Sequence, residues 1–216
     1  RSLVATQFHP EVHHTKDGLK MLENFLLEIA DCQPNWTAGN FINDQIEKIR
    51  SFVGDGSVLT GVSGGVDSTV VAALLYKAVG SRSHAVIIDH GLMRKNEVSE
   101  CVDALADGLG VNIHAYDESK IFLSKLKGVL DPEKKRKIIG NQFIYSFDRI
   151  AMSIGKIEFL AQGTLYPDKI ESGVSKGNTS HVIKSHHNVG GLPENMEFKL
   201  VEPLDELFKD EVRKVG

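Results

Sequence analysis

At 216 residues, with 41% hydrophobic and 25% charged positions, the sequence has room for one large domain, or for one domain and a piece of another. Its formal net charge of −4 supplies no bulk attraction to nucleic acid or to an anionic membrane, and no stretch reads as a membrane span or a signal peptide. Two isolated cysteines, Cys32 and Cys101, make neither a disulfide framework nor a zinc knuckle, which points to a reducing, cytoplasmic setting.

In chain order, residues 2–8 read as a strand and His9-Pro10-Glu11-Val12 as a turn. Leu19, Leu22, Phe25, Leu26 and Ile29 recur at helical spacing, so residues 17–31 are expected to form an amphipathic helix. Residues 33–40, with Pro34, Trp36 and Gly39, read as a linker between a segment 1–32 and a main domain 41–216. A helix near 37–53 presents Phe41, Ile42, Ile46, Ile49 and Val53, with Thr37 a possible cap. Strands at 57–62, 84–89, 112–116 and 158–162 then alternate with helices at 67–79, 96–109, 119–127 and 132–153. Val58-Leu59 and Ala85-Val86-Ile87-Ile88 are apolar at successive positions, as strands buried on both faces are. The alternation predicts a doubly wound α/β fold with a parallel sheet, whose ligands sit at the carboxyl ends of the strands. Residues 163–199 break the pattern: they are polar, glycine-rich and without periodicity, and read as a lid or a disordered stretch. A helical-looking segment, 208–214, follows at the end.

The run Leu59-Thr60-Gly61-Val62-Ser63-Gly64-Gly65-Val66-Asp67-Ser68-Thr69 carries the most chemistry. It reads as strand, glycine turn and helix start, an arrangement that converges backbone N–H groups and the positive end of a helix on an anion. Without lysine it is not a Walker A loop. Asp67 would cap the helix or hold Mg²⁺ beside a polyphosphate. Lys134-Lys135-Arg136-Lys137 is either a solvated helix face or an arm whose arginine forks a phosphate. Tyr166 to Ser172 and Ile183 to Gly191 bracket the polar stretch; a lysine, two histidines and an asparagine beside glycines suit proton transfer and charge stabilisation from a lid, or a plain surface loop. The adjacent His186 and His187 lack the partners of a metal site. His9 and Glu11 follow the logic of a carboxylate orienting an imidazole, with no nucleophile nearby.

These residues together resemble one family, the glutamine-hydrolysing GMP synthases, over essentially the whole chain. Ser63-Gly64-Gly65-Val66-Asp67-Ser68 resembles the pyrophosphate loop of the ATP pyrophosphatases (an adenine nucleotide alpha hydrolase-like fold). Asp131-Pro132-Glu133 with Lys135 to Gly140, Ala161-Gln162-Gly163-Thr164 with Tyr166-Pro167-Asp168, and Ile183 to Gly191 carry the more specific likeness. Gln7 to Val12 resembles the end of a class I glutamine amidotransferase domain. The resemblance implies a ligase that uses ATP and Mg²⁺ to aminate XMP to GMP in purine nucleotide biosynthesis: the XMP C2 oxygen attacks the α-phosphorus, pyrophosphate leaves, and ammonia from glutamine displaces AMP. By position it implies that Ser63, Gly64, Gly65, Val66, Asp67, Ser68 and Thr69 hold the pyrophosphate, with Asp67 on Mg²⁺. Ile88 and Phe143 would flank the adenine, and Arg136 would contact the XMP phosphate. Asp168, Glu171, Lys184, His186, His187 and Asn188 would form the lid's catalytic set, and His9 and Glu11 would be two members of a glutaminase triad.

The likeness also implies a triad cysteine before Arg1 and a C-terminal dimerisation domain after Gly216, so the sequence is expected to be a fragment, of little activity alone, of a homodimer. Partners are then small molecules (ATP, XMP, glutamine or ammonia), with no nucleic acid and no membrane. Two other readings stand beside this one: a nucleotide-binding fragment without turnover, and another amidating ligase of the same fold such as NAD synthetase. A sulfur-transfer relative would want a reactive cysteine over the site, and Cys101 falls mid-helix instead.

Overall fold

The computed structural model describes Leu3, residues 5–171 and residues 198–216; of Glu171 it describes only the place at the end of a helix. The chain divides into two compact units, residues 1–37 and 38–216.

In the first unit the described residues of the expected strand over 2–8, Leu3 and residues 5–8, belong to no helix or strand. A strand is held by ladder hydrogen bonds, and no described strand pairs with this stretch. The expected helix is present in two pieces, α1 (Gly18–Asn24) and a π-helical turn Phe25–Ile29. Its apolar residues Leu19, Phe25, Leu26 and Ile29 are exposed.

The second unit contains α2 (Ala38–Val53), β1 (Val58–Val62), α3 (Val66–Val79), β2 (Ser83–Asp89), α4 (Glu97–Leu109) and β3 (Ile113–Asp117). It continues with α5 (Ser119–Leu126), α6 (Pro132–Ile154), β4 (Phe159–Ala161), α7 (Tyr166–Glu171), β5 (Lys199–Val201) and α8 (Lys209–Val215). The five strands are all parallel, in the order β3-β2-β1-β4-β5. The chain builds outward from β1 through β2 to β3, then crosses back to place β4 on the other side of β1. The strand order therefore reverses between β1 and β4, the point at which doubly wound sheets open a crevice for ligands.

Side-chain alternation separates two faces. Val58, Phe159 and Ala161 pack with α2, α3 and α8, while Val62, Ala85 and Ile87 pack with α3 and α4. Leu59, Val86, Ile88 and Leu160 point the other way, against Phe122 of α5 and Phe147, Ile150 and Ala151 of α6. The helix starts follow local chemistry. Asp131 caps α6 by accepting from the Lys134 N–H at 2.7 Å, and Pro132 at the first helical position has no N–H to satisfy. Helix α4 ends where Gly110, at φ +69°, lets its own N–H reach Ala106 O and that of Val111 reach Leu105 O.

Of the stretch 163–199, expected to be a lid or disordered, residues 172–197 lie outside the described residues, and the described parts hold regular elements that its lack of periodicity did not suggest. These are α7 and the start of β5; both are shorter than the window in which a pattern can be read.

Candidate functional site

Ser63, Gly64 and Gly65 leave the carboxyl end of β1 exposed and turn the chain into α3. Gly64 adopts φ +76°, and a Cβ there would stand 3.1 Å from the Glu97 side chain. Gly65 takes the cap position in extended conformation and, lacking a side chain, makes no cap hydrogen bond to the first N–H groups of the helix. The hydroxyls organise the turn from within. Ser68 Oγ donates to Gly65 O at 3.0 Å and accepts from the Ser63 N–H at 3.2 Å, with Ser63 Oγ 3.3 Å away. Thr69 Oγ1 donates to the same Gly65 carbonyl at 3.0 Å. The result is an exposed glycine turn with donors on a helix N-terminus, a cradle for an anion.

Asp67 stands at the second position of α3. Its Oδ2 accepts from Lys209 Nζ at 2.5 Å, a contact that joins the first turns of α3 and α8. Its Oδ1 is buried and has no hydrogen-bond partner among the described residues. A carboxylate oxygen left unpaired in a buried setting beside an anion cradle fits a cation ligand. Among the described residues no group of three or more His, Cys, Asp or Glu side chains surrounds a metal position. A Mg²⁺ ion here would therefore rest on this one carboxylate, with phosphate and water oxygens completing its shell. Lys209 was not picked out in the sequence; its partner lies in a distant element, and only the fold joins them.

The other predicted residues fall in three places. Ile88 is 3% exposed, its side chain inside the cluster under α5 and α6, and the partly buried Phe143 packs against the same cluster, stacked on Phe147 at 6.2 Å. Ile88 is thus a core side chain, and Phe143 a partly buried neighbour of that core. Arg136 lies on the first turns of α6, where its Nε and Nη2 fork the Glu133 carboxylate at 3.0 and 2.7 Å. That pairing holds the Glu133 carboxyl below its usual range and raises the guanidinium's. The arginine side chain is 68% exposed, and a phosphate would take the fork over from Glu133.

Arg136, Ile139, Phe143 and Phe147 share one stripe of α6 at intervals of three or four residues. Phe147 meets β1 at Gly61, where a Cβ would be 3.4 Å from its ring. Helix α6 runs antiparallel to the strands, so Arg136 stands about three turns, roughly 16 Å, beyond that point toward the strands' carboxyl ends. The basic arm and the anion cradle thus project from the same edge of the sheet.

Asp168 accepts from the Leu165 N–H at 2.9 Å and fastens the start of α7. Lys184, His186, His187 and Asn188, and the side chain of Glu171, lie outside the described residues. In the first unit His9 Nδ1 and Glu11 Oε1 are 2.8 Å apart, both exposed. The Glu11 carboxyl is held below its usual range, first by its own backbone N–H and then by His9. Cys101 is buried beneath the loop, and burial raises its thiol's pKa, which makes it a poor nucleophile. A cleft of about 560 Å³ opens at the same edge, lined by Asp89, Arg94, Glu97, Ser99 and Asp103 among others.

Two family models match. One, described as NAD synthase, covers residues 37–144, half of the chain, and includes the glycine loop and Arg136. The chain belongs to the NAD synthase family. Residues 1–29 match the class I glutamine amidotransferase model. Among curated relatives, the GMP synthase (glutamine-hydrolysing) of Teredinibacter turnerae is 57% identical over 97% of this chain and 40% of its own length. Those of Marinobacter nauticus and Staphylococcus aureus are 56% and 54% identical over all of this chain and 41% and 42% of theirs. The chain thus spans about two fifths of the length of these relatives, and its likeness to GMP synthases runs through both units. Among solved structures, an NH3-dependent NAD synthetase from Campylobacter jejuni superposes with a TM-score of 0.62 at 14% identity, over 83% of this chain and 72% of that one. An NMN synthetase from Francisella tularensis gives 0.60 at 14% identity, over 84% and 70%. These two share the fold. No helix among the described residues is long and apolar enough to cross a membrane.

Proposed function

We propose that this chain is the synthetase part, with the end of the glutaminase part, of a glutamine-hydrolysing GMP synthase. The observation that carries the reading is the 54–57% identity to GMP synthases along the whole chain, amidotransferase end and pyrophosphate loop together. NAD synthetase is the less favoured reading, because the solved synthetases of that kind are 14–16% identical to this chain, against 54–57% for the GMP synthases. The boundaries that go with the proposal are a glutaminase end at 1–32, a linker at 33–40 and an ATP pyrophosphatase domain from 41.

The reaction assigned here has two steps. The C2 oxygen of XMP attacks the α-phosphorus of ATP; an O–P bond forms, the bond to the β-phosphate bridge breaks, and pyrophosphate leaves. Ammonia then adds at C2 and AMP departs, with loss of protons to yield the amine. Ser63 to Thr69 cradle the leaving pyrophosphate through the N–H groups at the start of α3, with the Ser68 and Thr69 hydroxyls holding the turn in shape through Gly65 O. Asp67 offers its unpaired oxygen to Mg²⁺, which would screen charge on the phosphates. Arg136 exchanges Glu133 for the XMP phosphate. Asp168, Glu171, Lys184, His186, His187 and Asn188 serve the same centre from the polar stretch, and Ile88 and Phe143 support the adenine from the core. His9 and Glu11 belong to the glutaminase triad, whose nucleophile comes from elsewhere in the protein. The whole enzyme is cytoplasmic and a homodimer in this reading.

The test is pyrophosphate release by the full-length protein carrying this chain. XMP should be required, glutamine should be hydrolysed to glutamate, and Asp67→Asn should abolish release in a folded protein. Release that depends on deamido-NAD instead of XMP refutes the proposal.

A further inference from the structure

The crevice where the strand order reverses is bordered by the loop after β1 and by the residues after β4. Gln162 is the first of these. Its N–H donates to Val201 O at 2.9 Å, which continues the β4–β5 ladder and fixes its backbone. Alternation sets the direction of the side chain: Ala161 faces α3, Leu160 faces α6, and Gln162 falls on Leu160's side. Its Nε2 is buried and has no hydrogen-bond partner among the described residues. The next residue, Gly163, lies against Asp67, with a Cβ there 3.4 Å from the Asp67 Cβ. An amide with unused donors therefore stands at the carboxyl end of the central strands. It is beside the anion cradle and on the face where the α6 stripe leads up to Arg136.

A buried donor left unmade is destabilising, and one that stands beside a ligand crevice is explained if a ligand completes it. The occupant must offer a hydrogen-bond acceptor on this face of the crevice. We infer that Gln162 is a specificity-determining residue, its Nε2 donating to a keto oxygen on the purine base of the acceptor nucleotide whose phosphate Arg136 holds. This rests on the GMP synthase reading. Xanthine carries keto oxygens at C2 and C6, both acceptors. A site built to donate to such an oxygen rejects a base that lacks it far more strongly than an apolar wall can.

The experiment measures, in the full-length protein, the XMP and ATP KM values and the melting temperature without ligand, for wild type, Gln162→Met and Gln162→Glu. Methionine keeps the length and removes the donors. It should raise the XMP KM about tenfold, equivalent to about 1.4 kcal/mol. The ATP KM should stay unchanged and the melting temperature should be equal or higher, because the unsatisfied group is gone. Glutamate presents only acceptor oxygens toward the keto group and should raise the XMP KM further. An unchanged XMP KM, a rise confined to the ATP KM, or a lowered melting temperature in Gln162→Met overturns the inference. The last outcome would make the amide a structural donor. If the wild type releases pyrophosphate without regard to XMP, the underlying reading fails and this inference falls with it.

Discussion

Glu118 sits at the carboxyl edge of the sheet, between β3 and α5, and is 7% exposed. Its N–H donates to Asp89 O at 2.8 Å; its Oε2 accepts from Ser146 Oγ at 3.2 Å, and its Oε1 pairs with Arg149 Nη2. Gln142 Nε2 donates to Ser146 Oγ at 2.9 Å. One residue thus ties the end of β2, through its backbone N–H, to α6, through its carboxylate; α6 is the helix that carries Arg136. The two ends of the ion pair are unequal, since the Arg149 side chain is 62% exposed. Glu118→Gln keeps the shape and the Ser146 contact, and it frees a guanidinium that water can solvate, so the expected loss is about 1 kcal/mol. Arg149→Ala strands a buried charge with Ser146 as its remaining side-chain donor. Its loss should be about 3 kcal/mol, the low end for breaking a buried pair, although the exposed partner is the one removed. Urea unfolding of the chain should rank Arg149→Ala well below Glu118→Gln, and the double variant should recover part of the loss. If both single variants cost less than about 0.5 kcal/mol, the pair behaves as a surface salt bridge, and the idea that it anchors α6 is wrong.

Gly64→Ala would combine a positive φ with a Cβ 3.1 Å from the Glu97 side chain. It should cost about 1 kcal/mol in thermal unfolding and weaken pyrophosphate binding by calorimetry more than it weakens the fold. Arg136→Lys should raise the XMP KM with little change in the ATP KM, because a forked pair becomes a point charge; steady-state kinetics with each substrate varied separates the two. His84 has its pKa lowered first by burial and then by the nearby charge of His114. The unfolded chain therefore takes up this proton more readily than the folded one. Stability should fall as pH drops below the ordinary value of 6.5, and His84→Gln should flatten that limb of a pH–melting curve.

Where periodicity runs long or punctuation is strong, the fold was legible in the sequence. Asp131-Pro132 marks the start of α6, and the doubly apolar strands β1 and β2 announce a parallel sheet. What escaped depends on partners far along the chain. Three residues of β5 become a strand only because β4 pairs with them. Residues 2–8 look like a strand, and no described partner makes them one. In the site, Ser63 to Thr69 could be read because glycine, hydroxyl and acid follow one another. Lys209, Gln162 and Glu118 could not, since an ion pair to Asp67, an unpaired amide and a buried carboxylate are properties of assembled elements. Nor does the sequence show how deep Ile88 and Phe143 lie: Ile88 is buried in the cluster under α6 and Phe143 packs partly buried against it.

The two faces of the sheet divide the proposed chemistry. Helices α3 and α8, on one face, bring the glycine loop, Asp67 and Lys209 together, a set suited to polyphosphate and its cation. Helix α6, on the other, carries a stripe that begins in the core at Phe147 and ends in an exposed arginine fork. A nucleotide anchored by that fork reaches the loop only across the gap between β1 and β4, where the strand order reverses. No single element could place an anion cradle and a basic arm on opposite faces yet aim both at one edge. The crossover that puts β4 beside β1 achieves this, and it also delivers Gln162 and Gly163 to the gap itself. For this reason the reacting groups are expected at the β1–β4 opening rather than in the cleft by α4, where the carboxylates of Asp89, Glu97 and Asp103 outnumber the Arg94 guanidinium and disfavour phosphate.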